Sequence, residues 1–149
     1  MVQIYPFHCV EISYQSADDW SLAWDILRCN PDFFHAPRYD NMLLNIEGED
    51  LCPAWLVMAF QAKLAGLGHF LDLALIQRYR RTKNWKPRTI WHGCQVFSED
   101  KNVSFISLQY AIWGCVMVPA FGSSTRKGSM YYIFDCLNSD MFLRVNDIG

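Results

Sequence analysis

"AWLVMAFQAKL", residues 54–64, is the stretch whose reading decides the fold. Its residues are good helix formers, and the "AGLG" that follows supplies a glycine of the kind that ends a helix. Yet the apolar run is nearly continuous, so neither the helical nor the strand period stands out. The neighbouring segments decide for a strand. "NMLLNI" (41–46) runs into the turn-like "EGED", and "FLDLALIQRY" (70–79) follows "AGLGH". "TIWHGCQVF" (89–97), "VSFISL" (103–108), "YAIWGCVMVPAF" (110–121) and "MYYIFDCL" (130–137) come after, separated by the polar turns "SEDKN" and "GSSTRKGS". Turn signals about ten residues apart point to an all-β barrel or sandwich. No strand–helix alternation follows residue 40, which argues against a doubly wound α/β fold.

The N-terminal region reads differently. After an extended "VEISY" (10–14), residues 16–29 are predicted to form a helix. Ser16 and Asp19 have capping-box spacing, and Trp20, Trp24 and Leu27 share one helical face. Asn30-Pro31 would end the helix, because proline disfavours helical geometry in the residue before it. The expected fold is therefore mainly β: one domain over 1–149, with a small barrel core (38–149) and one N-terminal helix (16–29) packed on it. An α+β fold is the alternative.

Composition narrows the function. The chain has 149 residues, 52% of them hydrophobic and 15% aromatic, which excludes a disordered chain. The net charge of −2 conceals a polarised distribution. Residues 1–50 hold nine acids against two bases, whereas residues 78–91 hold six of the thirteen bases and no acid. Six cysteines lie far apart with no C-x-x-C pair, so reduced, mostly buried thiols are expected rather than disulfides. The longest apolar stretch, 103–121, is interrupted by Ser104, Ser107 and Gln109, so no membrane span is expected. The absence of a signal peptide points to an intracellular protein.

Several segments together carry a family resemblance: "RCNPDFFHAPRYD", "DLALIQRYRR", "FISLQYAIWGCVMVP" and "YYIFDCLNSDMFLRV". In this order they resemble the C-terminal region of fungal Plavaka-type transposon proteins, which are cut-and-paste transposases. The most distinctive match is the closing turn, Asp135, Asn138, Ser139 and Asp140-Met141-Phe142-Leu143-Arg144. Where the family pattern has Arg-Gly-Ala, this chain has Trp113-Gly114-Cys115. The resemblance implies an accessory tail, because the family's DNA-cutting domain lies upstream, and it implies a nuclear setting. The order of the strands is also similar to bromo-adjacent homology domains, SH3-like barrels elaborated for chromatin contacts.

A transposase nuclease gathers three carboxylates on two metal ions. Asp40, Asp72 and Asp135 supply such a set on paper, but they read better as partners of local backbone and bases. Asp135 and Asp140 read as turn formers, and with Arg144 they form a structural lock that closes the fold. His92-Gly93-Cys94 and His8-Cys9 lack the paired spacing of a zinc site, so no metal and no cofactor is expected. No activated nucleophile is marked, and the chain reads as non-catalytic.

The main binding candidate is the basic segment. Arg78, Arg80, Arg81, Lys83, Lys86 and Arg88 alternate with Tyr79, Trp85 and Trp91, and Arg126-Lys127 forms a second basic element. Bases interleaved with aromatics suit a nucleic-acid backbone with stacked bases. The alternative is that the segment docks on Asp18, Asp19 or Asp25 of the predicted helix. A pI near 6.0 counts against a dedicated nucleic-acid binder. Trp85, Trp91, Trp113, Tyr79 and Tyr110 are candidates for a methyl-lysine cage. The reading is an interaction module that contacts a protein or chromatin partner, with nucleic-acid binding through 78–91 as the alternative and a metal-dependent nuclease fragment as a remote one.

Overall fold

The computed structural model describes residues 1–81, 95–119 and 130–134. Its elements are β1 (Val2–Phe7), β2 (Cys9–Gln15), β3 (Leu22–Phe33), β4 (Ala36–Tyr39), β5 (Asn41–Leu44), β6 (Cys52–Leu64), β7 (Leu71–Arg81), β8 (Val96–Ser107), a 3-10 turn (Leu108–Tyr110), β9 (Ala111–Cys115), β10 (Met117–Pro119) and β11 (Met130–Ile133). The mainly-β expectation holds, and 54–64 lies within β6. The expected N-terminal helix is absent. Residues 16–21 are a hairpin turn, and residues 22–33 are a strand.

The reason is local. The Ser16 N–H donates to the Ser21 carbonyl at 2.8 Å, which closes the turn, and Trp20 sits at φ 62°. Asp19 does not cap a helix. Its carboxylate accepts from both the N–H and the hydroxyl of Ser21. Beyond the turn, β3 pairs with β2 from Gln15↔Leu22 to Cys9↔Arg28. Leu27 and Cys29 point inward while Leu22, Trp24 and Ile26 point outward. Both faces of the strand are apolar, so the sequence satisfied a helical stripe equally well, and cross-strand pairing overrode propensity.

Two antiparallel sheets result. The larger runs β10-β11-β8-β7-β6-β5-β9, with β1 added to β6. Its two end strands, β9 and β10, are separated only by Val116, so one bent strand pairs with β5 on one side and β11 on the other. The sheet thus nearly closes into a barrel. Leu43, Tyr79, Phe97, Cys115, Met117 and Ile133, each from a different strand of the wall, cluster as its interior. The smaller sheet, β2-β3-β4, lies against the barrel wall. Ile12, Leu27 and Cys29 from it meet Met42, Leu44, Leu56, Ala59, Ala74 and Ile76 in a second core. Around β5 and β6 the wall is therefore buried on both faces, which is why residues 54–64 carry no clean alternation. Fully burying each Leu or Ile there contributes ~1.5–3 kcal/mol.

Two sequence signals took different forms. "SEDKN" is not a turn between strands but a bulge inside β8. The β7 register shifts between Gln77 and Tyr79, and the Asn102 N–H donates to Asp100 Oδ1 at 3.1 Å. "EGED" and "AGLG" do turn the chain, with Gly48 at φ 79° and Gly66 at φ 90°, conformations that favour glycine. The smaller sheet is docked by Asp25. It accepts the Gly114 N–H at 2.7 Å and the Tyr14 hydroxyl at 3.1 Å.

Candidate functional site

The basic segment is described as far as Arg81, and Arg78, Arg80 and Arg81 are already engaged. Arg78 meets Glu49 at 2.7 Å, from the turn between β5 and β6. Arg80 meets Asp100 at 2.8 Å, and Arg81 donates to Gln95 Oε1 at 2.7 Å. The Asn102 N–H, followed by Arg80, holds the Asp100 carboxyl below the usual range. Arg78 and Arg80 thus face Glu49 and Asp100, while the bases of the segment beyond Arg81, for which docking on Asp18, Asp19 or Asp25 is the alternative, lie outside the described residues. Tyr79 belongs to the barrel interior, 4% exposed. Its hydroxyl donates to Asn41 Oδ1 at 3.0 Å, and burial pushes its phenol well above the ordinary value. That ring offers no face to a base. Lys83, Trp85, Lys86, Arg88, Trp91, Arg126 and Lys127 lie outside the described residues, as do Asp135, Asp140 and Arg144 of the proposed lock.

The other candidates are dispersed. Asp40 accepts the Arg28 N–H at 2.8 Å and Arg38 Nε at 3.2 Å, while Asp72 accepts Gln61 Nε2 at 2.9 Å. The Asp40 carbonyl lies opposite Leu56 and Asp72 opposite Gln61, so the two stand roughly 15 Å apart along β6. Two metal ions ~4 Å apart cannot be shared by carboxylates at that separation. Among the described residues, no group of three or more His, Cys, Asp or Glu is placed to hold a metal ion. Tyr79 stacks edge-on with Tyr131, and Trp113 with Tyr14, while Trp85 and Trp91 of the suggested cage lie outside the described residues. Burial pushes the Cys29, Cys52 and Cys115 thiols up, which keeps them protonated at neutral pH.

A cleft that the sequence reading missed lies where the smaller sheet overhangs the barrel. Its volume is about 620 Å³. Binding pockets commonly measure ~300–1,000 Å³. One wall is β2 from Cys9 to Ser13, and the other is the start of β7 with the 3-10 turn, Phe70–Asp72 and Ser107–Gln109. Phe7, Ile12 and Leu108 supply apolar surface, and Glu11 and Asp72 supply carboxylates. Among the described residues, no Lys, Arg or His lines it. Nothing in the sequence joins these segments, because β2 and β7 meet only through the packing of the two sheets. No described helix is long and apolar enough to cross a membrane. No protein-family model, curated protein or solved structure matches the chain.

Proposed function

We propose that this chain is a non-catalytic interaction module whose ligand is a protein. The observation that carries this reading is the contrast between two surfaces. The described arginines of the basic segment are engaged by Glu49, Asp100 and Gln95, so a phosphate backbone would have to displace existing partners. The cleft beside β2, by contrast, is open and mixes apolar floor with carboxylates. Such a surface repels nucleic acid and suits polypeptide. The barrel is compatible with the chromatin-contacting fold that the sequence resembles. In the transposon-derived setting which that resemblance implies, the partner would be a nuclear protein, either a chromatin component or the transposase itself.

The test is selection from a displayed library of random peptides on the immobilised full chain, run beside anisotropy of labelled duplex DNA at several salt concentrations. Enriched peptides that bind in solution, with no DNA binding near physiological salt, support the reading. Salt-sensitive DNA binding without peptide enrichment contradicts it and makes the basic segment the site. The slope of log K against log salt would then count phosphates, about −0.9 for each one neutralised.

A further inference from the structure

The protein-contact reading rests on the cleft, and the geometry of that cleft also defines the kind of polypeptide that fits. Five consecutive residues of β2, Cys9–Ser13, line it. Successive side chains of a strand point to opposite faces, so a wall formed by all five is the edge of the strand. That edge is open. Among the described strands β2 pairs only with β3, and no backbone hydrogen bond joins Cys9–Ser13 to another described residue on the far side. Open edges of this kind take an added strand through main-chain hydrogen bonds, with specificity set by alternate side chains.

The alternation on β2 is informative. Val10 and Ile12 face inward, and Ile12 belongs to the core between the sheets. Cys9, Glu11 and Ser13 face outward, and Glu11 has no ion pair among the described residues. Across the cleft, Asp72 uses Oδ1 for Gln61. Two cations stand beside the cleft without lining it: Lys63 rests on the Phe70 ring at 5.6 Å, and Arg28, opposite Cys9 in β3, lies over the Phe33 ring at 4.9 Å. The charged side chains among the described residues that line the cleft are both carboxylates, Glu11 and Asp72. The open edge of Cys9–Ser13 is roughly 14 Å long, room for about five residues of an incoming strand.

We propose that an extended segment of a partner protein, alternating apolar residues with Lys or Arg, adds to β2 as a fourth strand of the smaller sheet. Its inward side chains cover Val10, Ile12 and Leu108. Its basic side chains meet Glu11 and, at the mouth, Asp72. Its backbone satisfies the free N–H and C=O groups of Cys9–Ser13.

The probe is a fluorescein-labelled ten-residue peptide that alternates valine and lysine, titrated into the full chain. Two controls accompany it: a valine–glutamate peptide, and a valine–lysine peptide methylated on alternate backbone nitrogens. Methylation in the pairing register should weaken binding about tenfold by removing strand hydrogen bonds. The exposed-site variant Glu11→Gln/Asp72→Asn should weaken it by about threefold and reduce its salt dependence. Hydrogen exchange should slow at alternate amides of Cys9–Ser13. Equal binding of the methylated peptide, or equal binding of the valine–glutamate peptide, overturns the proposal. So does a lack of valine–lysine binding. If library-selected ligands of another kind still compete at the cleft, the module reading survives that failure; if none bind, both fall.

Discussion

Replacing Gly114 with alanine tests how the two sheets are held together. A Cβ at this position would stand 2.9 Å from Leu27 Cδ2, 3.2 Å from Asp25 Oδ2 and 3.5 Å from Asp25 Cγ. The leucine methyl cannot swing aside freely, because Leu27 is 4% exposed and packed in the core between the sheets. The carboxylate cannot retreat without stretching its 2.7 Å bond from the Gly114 N–H. Overpacking a filled core costs ~1–3 kcal/mol, and weakening a charge-assisted hydrogen bond adds to it, so Gly114→Ala should destabilise by about 2–3 kcal/mol. In urea this corresponds to a midpoint lowered by ~1 M at an m-value near ~2 kcal/mol/M. Gly68, where an added Cβ meets nothing within 4 Å, is the control. Gly68→Ala should stay within ~0.5 kcal/mol of wild type. Asp25→Ala should cost ~1–3 kcal/mol by leaving the Gly114 N–H without its acceptor, and combining it with Gly114→Ala should be less than additive. A Gly114→Ala variant as stable as Gly68→Ala would refute the docking of the smaller sheet through this contact.

Other consequences follow from the same structure. The β3–β4 turn puts Phe34 at φ 49° and His35 at φ 68°, a geometry that favours Asn-Gly. Phe34→Asn/His35→Gly should therefore raise stability by ~1 kcal/mol or more in urea, and a destabilised variant would contradict the assigned turn. Tyr79→Phe removes the bond to Asn41 and should cost ~0.5–1.5 kcal/mol; no loss would mean that the ring is not anchored in the barrel. Burial raises the Cys29, Cys52 and Cys115 thiols and the Tyr79 phenol, so above their ordinary values the folded state holds protons that the unfolded chain has released. Stability should then fall as pH rises from about 8.5 upward, the cysteine range first and tyrosine later. A flat profile between pH 8 and 11 would contradict that burial.

The legible part of the fold is the part written in strands and turns. The runs at 41–46, 54–64, 70–79 and 103–108 each fall on a strand, because apolar stretches bounded by Gly48 and Gly66 turns leave few alternatives. The misreading at 16–29 has a physical origin. Trp20, Trp24 and Leu27 satisfy a helical face, but Trp20 stands in the turn, Trp24 points outward and Leu27 points into the core. Only pairing with β2, a tertiary fact, separates these fates. The "SEDKN" stretch had the right chemistry, since Asp100 does accept a backbone bond two residues on, but the result is a bulge. Site reading was weaker still. Tyr79 alternates with bases in sequence and therefore resembled a stacking ring, although strand alternation turns it into the barrel. Glu11 and Asp72 carry no local motif, and only the overhang of one sheet on the other makes them neighbours of one cleft.

The most direct measurement is an amide NMR titration of the isotope-labelled full chain, first with a library-selected peptide and then with duplex DNA. The peptide should shift Val10–Ser13, Phe70–Asp72 and Leu108–Gln109, while DNA at physiological salt should shift nothing. Shifts at Arg78–Arg81 and Gln95–Asp100 on adding DNA, with the cleft unmoved by any peptide, would contradict it and identify the basic segment as the working surface.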